Sequence, residues 1–240
     1  MNCCQLLLKR YYSSSQVFAD VARYLIYCKL SEVNTNSTVF RGTLYEYYVK
    51  NLLETKLHAK YMVRCGGSYD NGIDIIGKWD LLPFYQESLR LSRDGTEQKL
   101  YTSSLLHHLP NSSLQKRPPI SLSNDVHLVV QCKNTKKRPG AAEVRQLSGV
   151  LEYHKFHKKR TVMMMVSPHP LTLQGISQLN KSSYSMVNLV ASPLSNASDE
   201  YDYEHWKGGD LMSVYLNRTA TKVLSGLRME QQLSQLTKSR

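Results

Sequence analysis

Gln131 and Lys133 are the residues whose types and spacing most directly suggest chemistry. They follow the apolar pair Val129-Val130, and alternate side chains of a β-strand point to one face, so the amide and the ammonium would lie together. Asp74, flanked by isoleucines, places a carboxylate in a second strand-like run. Burying such groups costs free energy unless they meet an anion or a metal. The three side chains therefore predict a binding site; a capped or salt-bridged structural Asp74 is the alternative.

A predicted helix carries one further acidic residue, Glu46. Apolar residues recur with helical spacing from about 39 to 57, and Ser37 or Thr38 can cap the first turn. Glu46 lies beside the apolar stripe, one turn after the small residue Gly42. Its carboxylate therefore either joins the site or faces solvent at the edge of the helix.

The remaining pattern predicts the elements that would hold these residues. Strands are predicted at 60–64 and 73–79, joined by a glycine-rich segment that ends in the turn signal Asp70-Asn71-Gly72. The central strand, 129–133, is followed by a helix at 141–154, a strand at 161–166, a helix at 171–179 and a strand at 185–191. This alternation predicts an α/β fold with a central mixed β-sheet flanked by α-helices.

Three regions lie outside the regular pattern of the domain, which we place at 31–192. Residues 1–30 are basic, bear serines and are nearly free of acids, which is typical of a mitochondrial presequence followed by an N-terminal helix; an ordinary first helix is the alternative. Residues 83–124 predict a long irregular insertion with one short helix near 85–91. Residues 193–240 form a C-terminal extension that begins acidic and ends in a helix-prone segment.

The charge balance points to an anionic partner. The formal charge is +12, and nine of the 31 basic residues fall between 131 and 160. Nucleic acid and an anionic membrane surface are the two partner classes, and a solvated basic face is the alternative. No apolar run approaches the ~18 residues of a membrane span. The five cysteines contain no CxxC pair, which argues against a zinc ribbon and a disulfide scaffold.

In their order, the motifs resemble the PD-(D/E)xK nuclease superfamily, in particular its Mrr-type restriction-endonuclease branch. That branch shows Gly-x-x-aromatic-Glu on its first helix, Asp-x-Gly-Ile-Asp at the turn into a strand, and Gln-x-Lys on the next strand. The matching segments here are 42–46, 70–74 and 131–133, and 144–149 resembles the Val-x-x-Leu-x-Gly run of the downstream helix. The resemblance covers roughly residues 40–167 and implies a restriction-endonuclease-like core.

This resemblance implies metal-dependent hydrolysis of phosphodiester bonds with Mg²⁺ or Mn²⁺. The implied ligands are the Asp74 carboxylate, the Gln131 amide oxygen and the Cys132 carbonyl, with Glu46 on a second ion or a metal-bound water. Lys133 would stabilise the negative charge that develops on the phosphate and orient the attacking water. An amide in place of a carboxylate weakens the metal site, but it is the usual pattern in this branch.

More narrowly, the presequence, the insertion and the basic balance resemble fungal mitochondrial proteins of the "required for respiratory growth" group. That resemblance implies a mitochondrial location, in the matrix, and a role in respiratory competence or genome maintenance. The leading hypothesis is a mitochondrial nuclease acting on nucleic acid, with DNA favoured. The residues expected to contact phosphates are Lys136, Lys137, Arg138 and Arg145.

Two other hypotheses remain open from the sequence. The chain could be a nucleic-acid-binding module that keeps a nuclease-like fold without cleaving. It could also be a basic peripheral protein of the inner membrane, although no strongly amphipathic helix carries the basic run. The oligomeric state is not predicted.

Overall fold

Helices and strands alternate along the part of the 240-residue chain that this computed structural model describes, residues 20–65, 72–93, 121–196 and 201–238. The helices are α1 (Val21–Leu30), α2 (Thr38–Lys56), α3 (Leu82–Arg93), α4 (Ala141–Tyr153), α5 (Leu173–Lys181), α6 (Arg218–Val223) and α7 (Met229–Lys238). The strands are β1 (Ala59–Arg64), β2 (Ile75–Trp79), β3 (His127–Cys132), β4 (Thr161–Ser167), β5 (Ser185–Ala191), β6 (Ser195–Asn196), β7 (Trp206–Lys207) and β8 (Leu211–Leu216). A 3₁₀ turn, Tyr203–His205, lies between β6 and β7.

Within these residues, six strands form one mixed sheet in the order β1-β2-β3-β4-β5-β8. Neighbours are antiparallel from β1 to β3, parallel from β3 to β5, and antiparallel between β5 and β8. Parallel strands require crossovers, which α4 and α5 supply. We call the side where β3, β4 and β5 end, at Cys132, Ser167 and Ala191, the carboxyl edge. The opposite side, where these strands begin at His127, Thr161 and Ser185, is the amino edge.

Both faces of the sheet are covered by helices. One face packs against α2 and the C-terminal helices through a cluster that includes Tyr45, Leu53 and Trp79. The other face packs against α4 and α5 through a cluster that includes Val129 and Leu147. Every residue of β4 and β5 is buried, which is typical of strands covered on both faces. The predicted α/β class with a mixed sheet flanked by helices is confirmed.

The N-terminal helix α1 packs on the outer side of α2 rather than on the sheet. Asp20 caps it through a 2.9 Å hydrogen bond to the N–H of Arg23, and Tyr24 stacks on Phe40 with ring centroids 5.8 Å apart. The sequence predicted a helix in this segment, and the structure confirms it. The part of the predicted presequence that precedes Asp20 lies outside the described residues.

The ends of the two irregular regions are more ordered than their sequence patterns indicate. Helix α3 begins the predicted insertion and is capped by the Asp80 side chain, which accepts a 3.0 Å hydrogen bond from the N–H of Leu82. Phe84 on this helix meets Trp79 edge to face at 6.1 Å. Residues 94–120 lie outside the described part of the chain. In the predicted C-terminal extension, β8 completes the sheet and α7 contributes the buried Leu233 to the core.

No described helix is both long and apolar enough to cross a membrane.

Candidate functional site

The structure brings Asp74 and Cys132 into direct contact at the carboxyl edge. The Asp74 carboxylate accepts a 2.6 Å hydrogen bond from the N–H of Cys132, a residue 58 positions later in the chain. The N–H of Asp74 donates to the carbonyl of Val130 at 3.0 Å and so extends the pairing of β2 with β3. A short bond from an N–H to a carboxylate is stronger than one between neutral groups. Two of the predicted motifs therefore meet at one point.

Gln131 lies on the same face of the sheet as Asp74, the face covered by α4. Its side chain is 1% exposed, and its Oε1 has no hydrogen-bond partner among the described residues. Leaving such an acceptor buried and unpaired costs about 1–3 kcal/mol. The amide oxygen is therefore an acceptor that the described protein does not use, on the strand with which Asp74 pairs.

Gly72 makes room for this amide. A Cβ at this position would lie 3.2 Å from Nε2 of Gln131 and 3.1 Å from Cγ2 of Val150, and the backbone has a φ of +81°. Only glycine adopts that φ at no steric cost. The turn that the sequence predicted from its Asn-Gly pair therefore also shapes the space around Gln131; Asp70 and Asn71 lie outside the described residues.

Glu46 approaches the site from α2, and its carboxylate is held by a residue that the sequence analysis missed. Nε of Arg64, at the end of β1, lies 2.5 Å from Oε2 of Glu46, and the Arg64 guanidinium also donates to Thr43 at 3.2 Å. Burial lowers the pKa of Arg64, but the Glu46 charge outweighs it and raises that pKa above its ordinary value. The sequence did offer a signal for Arg64: it is an arginine at the end of a predicted strand, next to a glycine-rich turn.

Cys132 lies between the Asp74 and Gln131 side chains on one side and the Glu46–Arg64 ion pair on the other. Its thiol points to the face of α2, opposite to Gln131, and burial, followed by the charges of Asp74 and Glu46, raises its pKa well above the ordinary value. The side chain is therefore a neutral thiol, not a thiolate ligand. Only the backbone carbonyl of Cys132 keeps the role that the resemblance implies.

Lys133 follows at the end of β3, where its N–H donates to the carbonyl of Val166 at 2.8 Å. The half-buried ammonium makes no ion pair with any described residue. It lies near Glu143, whose pKa is lowered first by the N–H groups of Gly140 and Glu143 and then by the charges of Lys133 and Arg145. Lys133 therefore places a cation at the carboxyl edge, two residues after Gln131.

The predicted phosphate contacts fall into two groups. Lys136 and Lys137 are exposed in the loop after β3, and Arg145 is exposed on α4. Arg138 is engaged instead: its guanidinium donates to the carbonyls of Pro170 at 3.1 Å and Leu171 at 2.6 Å, which ties the loop to the start of α5. Three exposed cations therefore surround the carboxyl edge.

The basic residues at 158–160 are not part of this surface. They directly precede β4, which runs parallel to β3, so they lie at the amino edge. The crossover through α4 carries the chain to that end of the sheet, so these residues are separated from Lys136 and Lys137 by the length of the strands.

The oxygen donors at the carboxyl edge suit a hard divalent cation. Asp74, the unpartnered Oε1 of Gln131 and the Cys132 carbonyl offer one carboxylate and two neutral oxygens, and Mg²⁺ often keeps several waters beside one or two carboxylates. No three His, Cys, Asp or Glu side chains in the described ranges converge to hold an ion. The residues therefore fit an ion whose shell is completed by water or substrate, and Glu46 is paired with Arg64.

The family model described as "Required for respiratory growth protein 7" matches residues 37–224 of this chain. Among curated proteins, the mitochondrial protein of that description from Vanderwaltozyma polyspora is 32% identical over 215 residues, 82% of this chain and 80% of its own length. The protein from Kluyveromyces lactis is 32% identical over 86% of this chain and 88% of its own length. The protein from Saccharomyces cerevisiae S288c is 26% identical over 86% and 87%. No solved structure matches the chain.

The matched segment contains all four predicted site residues, Glu46, Asp74, Gln131 and Lys133, and also strand β8. The names of these relatives specify a mitochondrial location and a requirement for respiratory growth. They specify no nuclease activity, so the resemblance to nucleases rests on the motifs.

Proposed function

The chain belongs to the required for respiratory growth protein 7 family, and we propose that it binds nucleic acid in mitochondria and cleaves its phosphodiester bonds with Mg²⁺ or Mn²⁺. Like its named relatives it is a mitochondrial protein; the matrix as its compartment is part of the proposal. One observation carries the activity: the Asp74 carboxylate is fixed on the N–H of Cys132 beside the buried, unpartnered oxygen of Gln131. Maintenance of the mitochondrial genome would connect this chemistry to respiratory growth.

In this proposal, Asp74, Gln131 and the carbonyl of Cys132 hold the divalent cation. The cation, when bound, lowers the pKa of a coordinated water and neutralises charge on the phosphate. The N–H of Cys132 orients the Asp74 carboxylate, and the tight turn at Gly72 keeps the Gln131 amide in its pocket. The Lys133 ammonium stabilises the negative charge that accumulates on the phosphate oxygens and holds the attacking water. Lys136, Lys137 and Arg145 contact neighbouring phosphates without reading sequence.

Glu46 has a different role in this proposal from the one that the nuclease resemblance implies. Its carboxylate pairs with Arg64 at 2.5 Å and keeps the guanidinium near the edge of the sheet. We therefore assign the site one cation, and assign Glu46 to the positioning of Arg64.

A second candidate is a nucleic-acid-binding protein that does not cleave. The specific observation in its favour is the ion pair of Glu46 with Arg64, which leaves Asp74 as the single carboxylate of the ligand set. The exposed cations of the carboxyl edge would then be sufficient for function, and affinity would fall steeply with salt.

The deciding experiment incubates the purified chain with single-stranded and double-stranded DNA and RNA, with Mg²⁺, Mn²⁺ or EDTA. Cleavage that requires the metal and falls by about 10²-fold or more in Lys133→Ala is expected. Lys56→Ala, an exposed lysine in the last turn of α2, is the matched control and should cleave like the wild type. Salt-sensitive binding without cleavage would establish the second candidate, and the absence of both would refute both.

A further inference from the structure

A second basic cluster occupies the amino edge of the sheet. Lys60, Lys78 and His127 lie directly opposite one another on β1, β2 and β3, and Thr161 continues the row on β4. Strand β3 separates this row from Lys133 by six residues, which is about 20 Å at the rise of a strand. The row is therefore distinct from the site at the carboxyl edge.

The charges in this row are poorly balanced. Like charges at directly opposed positions of a sheet repel each other. Lys60 pairs with Asp80, but Lys78 makes no ion pair with any residue in the described ranges. The segment before β4 adds Arg160, whose carbonyl accepts a 2.7 Å hydrogen bond from the N–H of His127. A bound anion would relieve the repulsion that the fold otherwise maintains.

The pKa of His127 is affected by the positive charges at this edge. Burial lowers its pKa, and the charges of Lys78, Arg160 and His157 lower it further, while Asp125 opposes them. Asp125 is itself occupied, because its carboxylate accepts a 2.8 Å hydrogen bond from the N–H of Ser121. The two acids near the row, Asp80 and Asp125, are thus both used in local structure.

A buried hydroxyl completes the row. Thr161 is 2% exposed, and its Oγ1 has no hydrogen-bond partner among the described residues. It lies beside His127 in the parallel register of β3 and β4, on the same face of the sheet. An unpaired hydroxyl at the end of a row that begins with two lysines is a further donor for an anionic oxygen.

Exposed aromatic rings flank these cations. Tyr61 follows Lys60 at an irregularity in the pairing of β1, with a φ of +54° and 71% of its surface exposed. Tyr153, 72% exposed, ends α4 close to the segment that carries Arg160. A left-handed conformation at a bulky residue is strained, and such strain is concentrated at functional sites. Aromatic rings among cations bind single-stranded nucleic acid, because bases stack on the rings while the cations contact phosphates.

We propose that Lys60, Lys78, His127 and Arg160 form a second phosphate-binding site for the nucleic acid that reaches the carboxyl edge. The inference rests on the proposed function and extends it: the substrate is a strand long enough to contact both edges. The separation of about 20 Å corresponds to about six phosphates at the spacing of one strand of a duplex. Tyr61 and Tyr153 favour a single-stranded segment at this edge, because bases that are paired in a duplex cannot stack on their rings.

The test measures the fluorescence anisotropy of labelled single-stranded DNA of about 20 nucleotides across a salt series. The variant Lys78→Gln/Arg160→Gln is compared with Lys29→Gln/Lys207→Gln, which removes the same charge from two exposed lysines remote from the row. The expected result is a Kd raised by about tenfold in the first variant and a salt slope reduced by about two, with the control like the wild type. Equal affinity for the two variants overturns the inference.

Two further measurements distinguish a failure of this inference from a failure of the proposed function. Lys136→Gln/Lys137→Gln weakens binding at the carboxyl edge, so a loss in that variant alone would leave the proposed function intact and refute only the second site. Vesicles of phosphatidylcholine and phosphatidylglycerol probe lipid phosphate instead. If Lys78→Gln/Arg160→Gln loses vesicle binding but keeps DNA binding, the amino edge serves a lipid surface and the inference is wrong. Unfolding curves of each variant confirm that the fold is retained.

Discussion

Arg64 and Glu46 form a largely buried ion pair that links the end of β1 to the middle of α2, with Nε and Oε2 2.5 Å apart. The side chains are 20% and 14% exposed, so neither charge is fully hydrated when its partner is removed. The guanidinium also lies 5.6 Å from the centroid of the Tyr47 ring. The pair fixes the position of α2 against the carboxyl edge of the sheet.

We predict that Arg64→Ala destabilises the protein by about 2–3 kcal/mol, somewhat less than the loss from a fully buried pair, because Glu46 is left without its cation. Urea unfolding measures the change. Arg90→Ala, which breaks an exposed pair with Glu87 on α3, is the control and should unfold at the wild-type urea concentration. Equal stability of both variants would show that Glu46 does not depend on Arg64.

Gly72 provides a second prediction, about the pocket of Gln131. Gly72→Ala forces a Cβ to 3.2 Å from the Gln131 amide at a positive φ, and we expect a loss of about 1–2 kcal/mol. Gly149→Ala on α4 is the matched control, since nothing lies within 4 Å of its added Cβ and alanine favours the helix by up to about 1 kcal/mol. Thermal unfolding should therefore shift in opposite directions for the two variants, and a shift in the same direction would contradict this role of Gly72.

Because the Gln131 oxygen has no partner in the described protein, we expect its removal to preserve stability but to abolish the response to metal. Gln131→Leu removes a buried acceptor without a partner and keeps a similar volume, so we expect stability to stay equal or rise by about 1 kcal/mol. The rise in Tm that Mn²⁺ produces in the wild type should be lost in this variant. A variant that is destabilised and still responds to Mn²⁺ would show that Gln131 has only a structural role.

We predict that the buried His154 makes the folded protein less stable in acid. The ring is buried at the end of α4 between Tyr153 and Phe156, and burial lowers its pKa below the ordinary value near 6.5. Because the unfolded chain takes up the proton more readily, the contribution is complete above pH ~6.5 and is lost as pH falls through the lower pKa of the folded state. His154→Phe should therefore lose less Tm than the wild type between neutral and mildly acidic pH. Parallel pH dependences for the two proteins would contradict this assignment.

Most of the fold could be predicted because its signals are local. Each predicted helix and strand between 39 and 191 matches an observed element within about three residues at each end, and Ser37 caps α2 as its type suggests. The motif order also places Asp74 beside Cys132, since the two strands that carry them are antiparallel neighbours.

The features that could not be predicted depend on how the elements pack. The pairing of Glu46 with Arg64 depends on the rotation of α2 against β1, which no local pattern specifies. Strand β8 has buried residues only at its two ends, Leu211 and Leu216, so it lacks the alternation of a typical strand. The residues at 158–160 lie at the amino edge because β3 and β4 are parallel, a relationship that follows from topology rather than from charge.

We propose that the Asp74 carboxylate at the carboxyl edge supports metal-dependent cleavage of nucleic acid. The most direct measurement is the single-turnover cleavage rate with Mn²⁺ for the wild type, Asp74→Asn and the control Asp210→Asn, an exposed aspartate before β8. Asparagine keeps an oxygen that can accept the hydrogen bond from Cys132 but removes the charge, so we predict a folded protein whose rate falls by about 10²-fold or more, with the control unchanged. Equal rates for the wild type and Asp74→Asn, or no cleavage by the wild type, would contradict the claim.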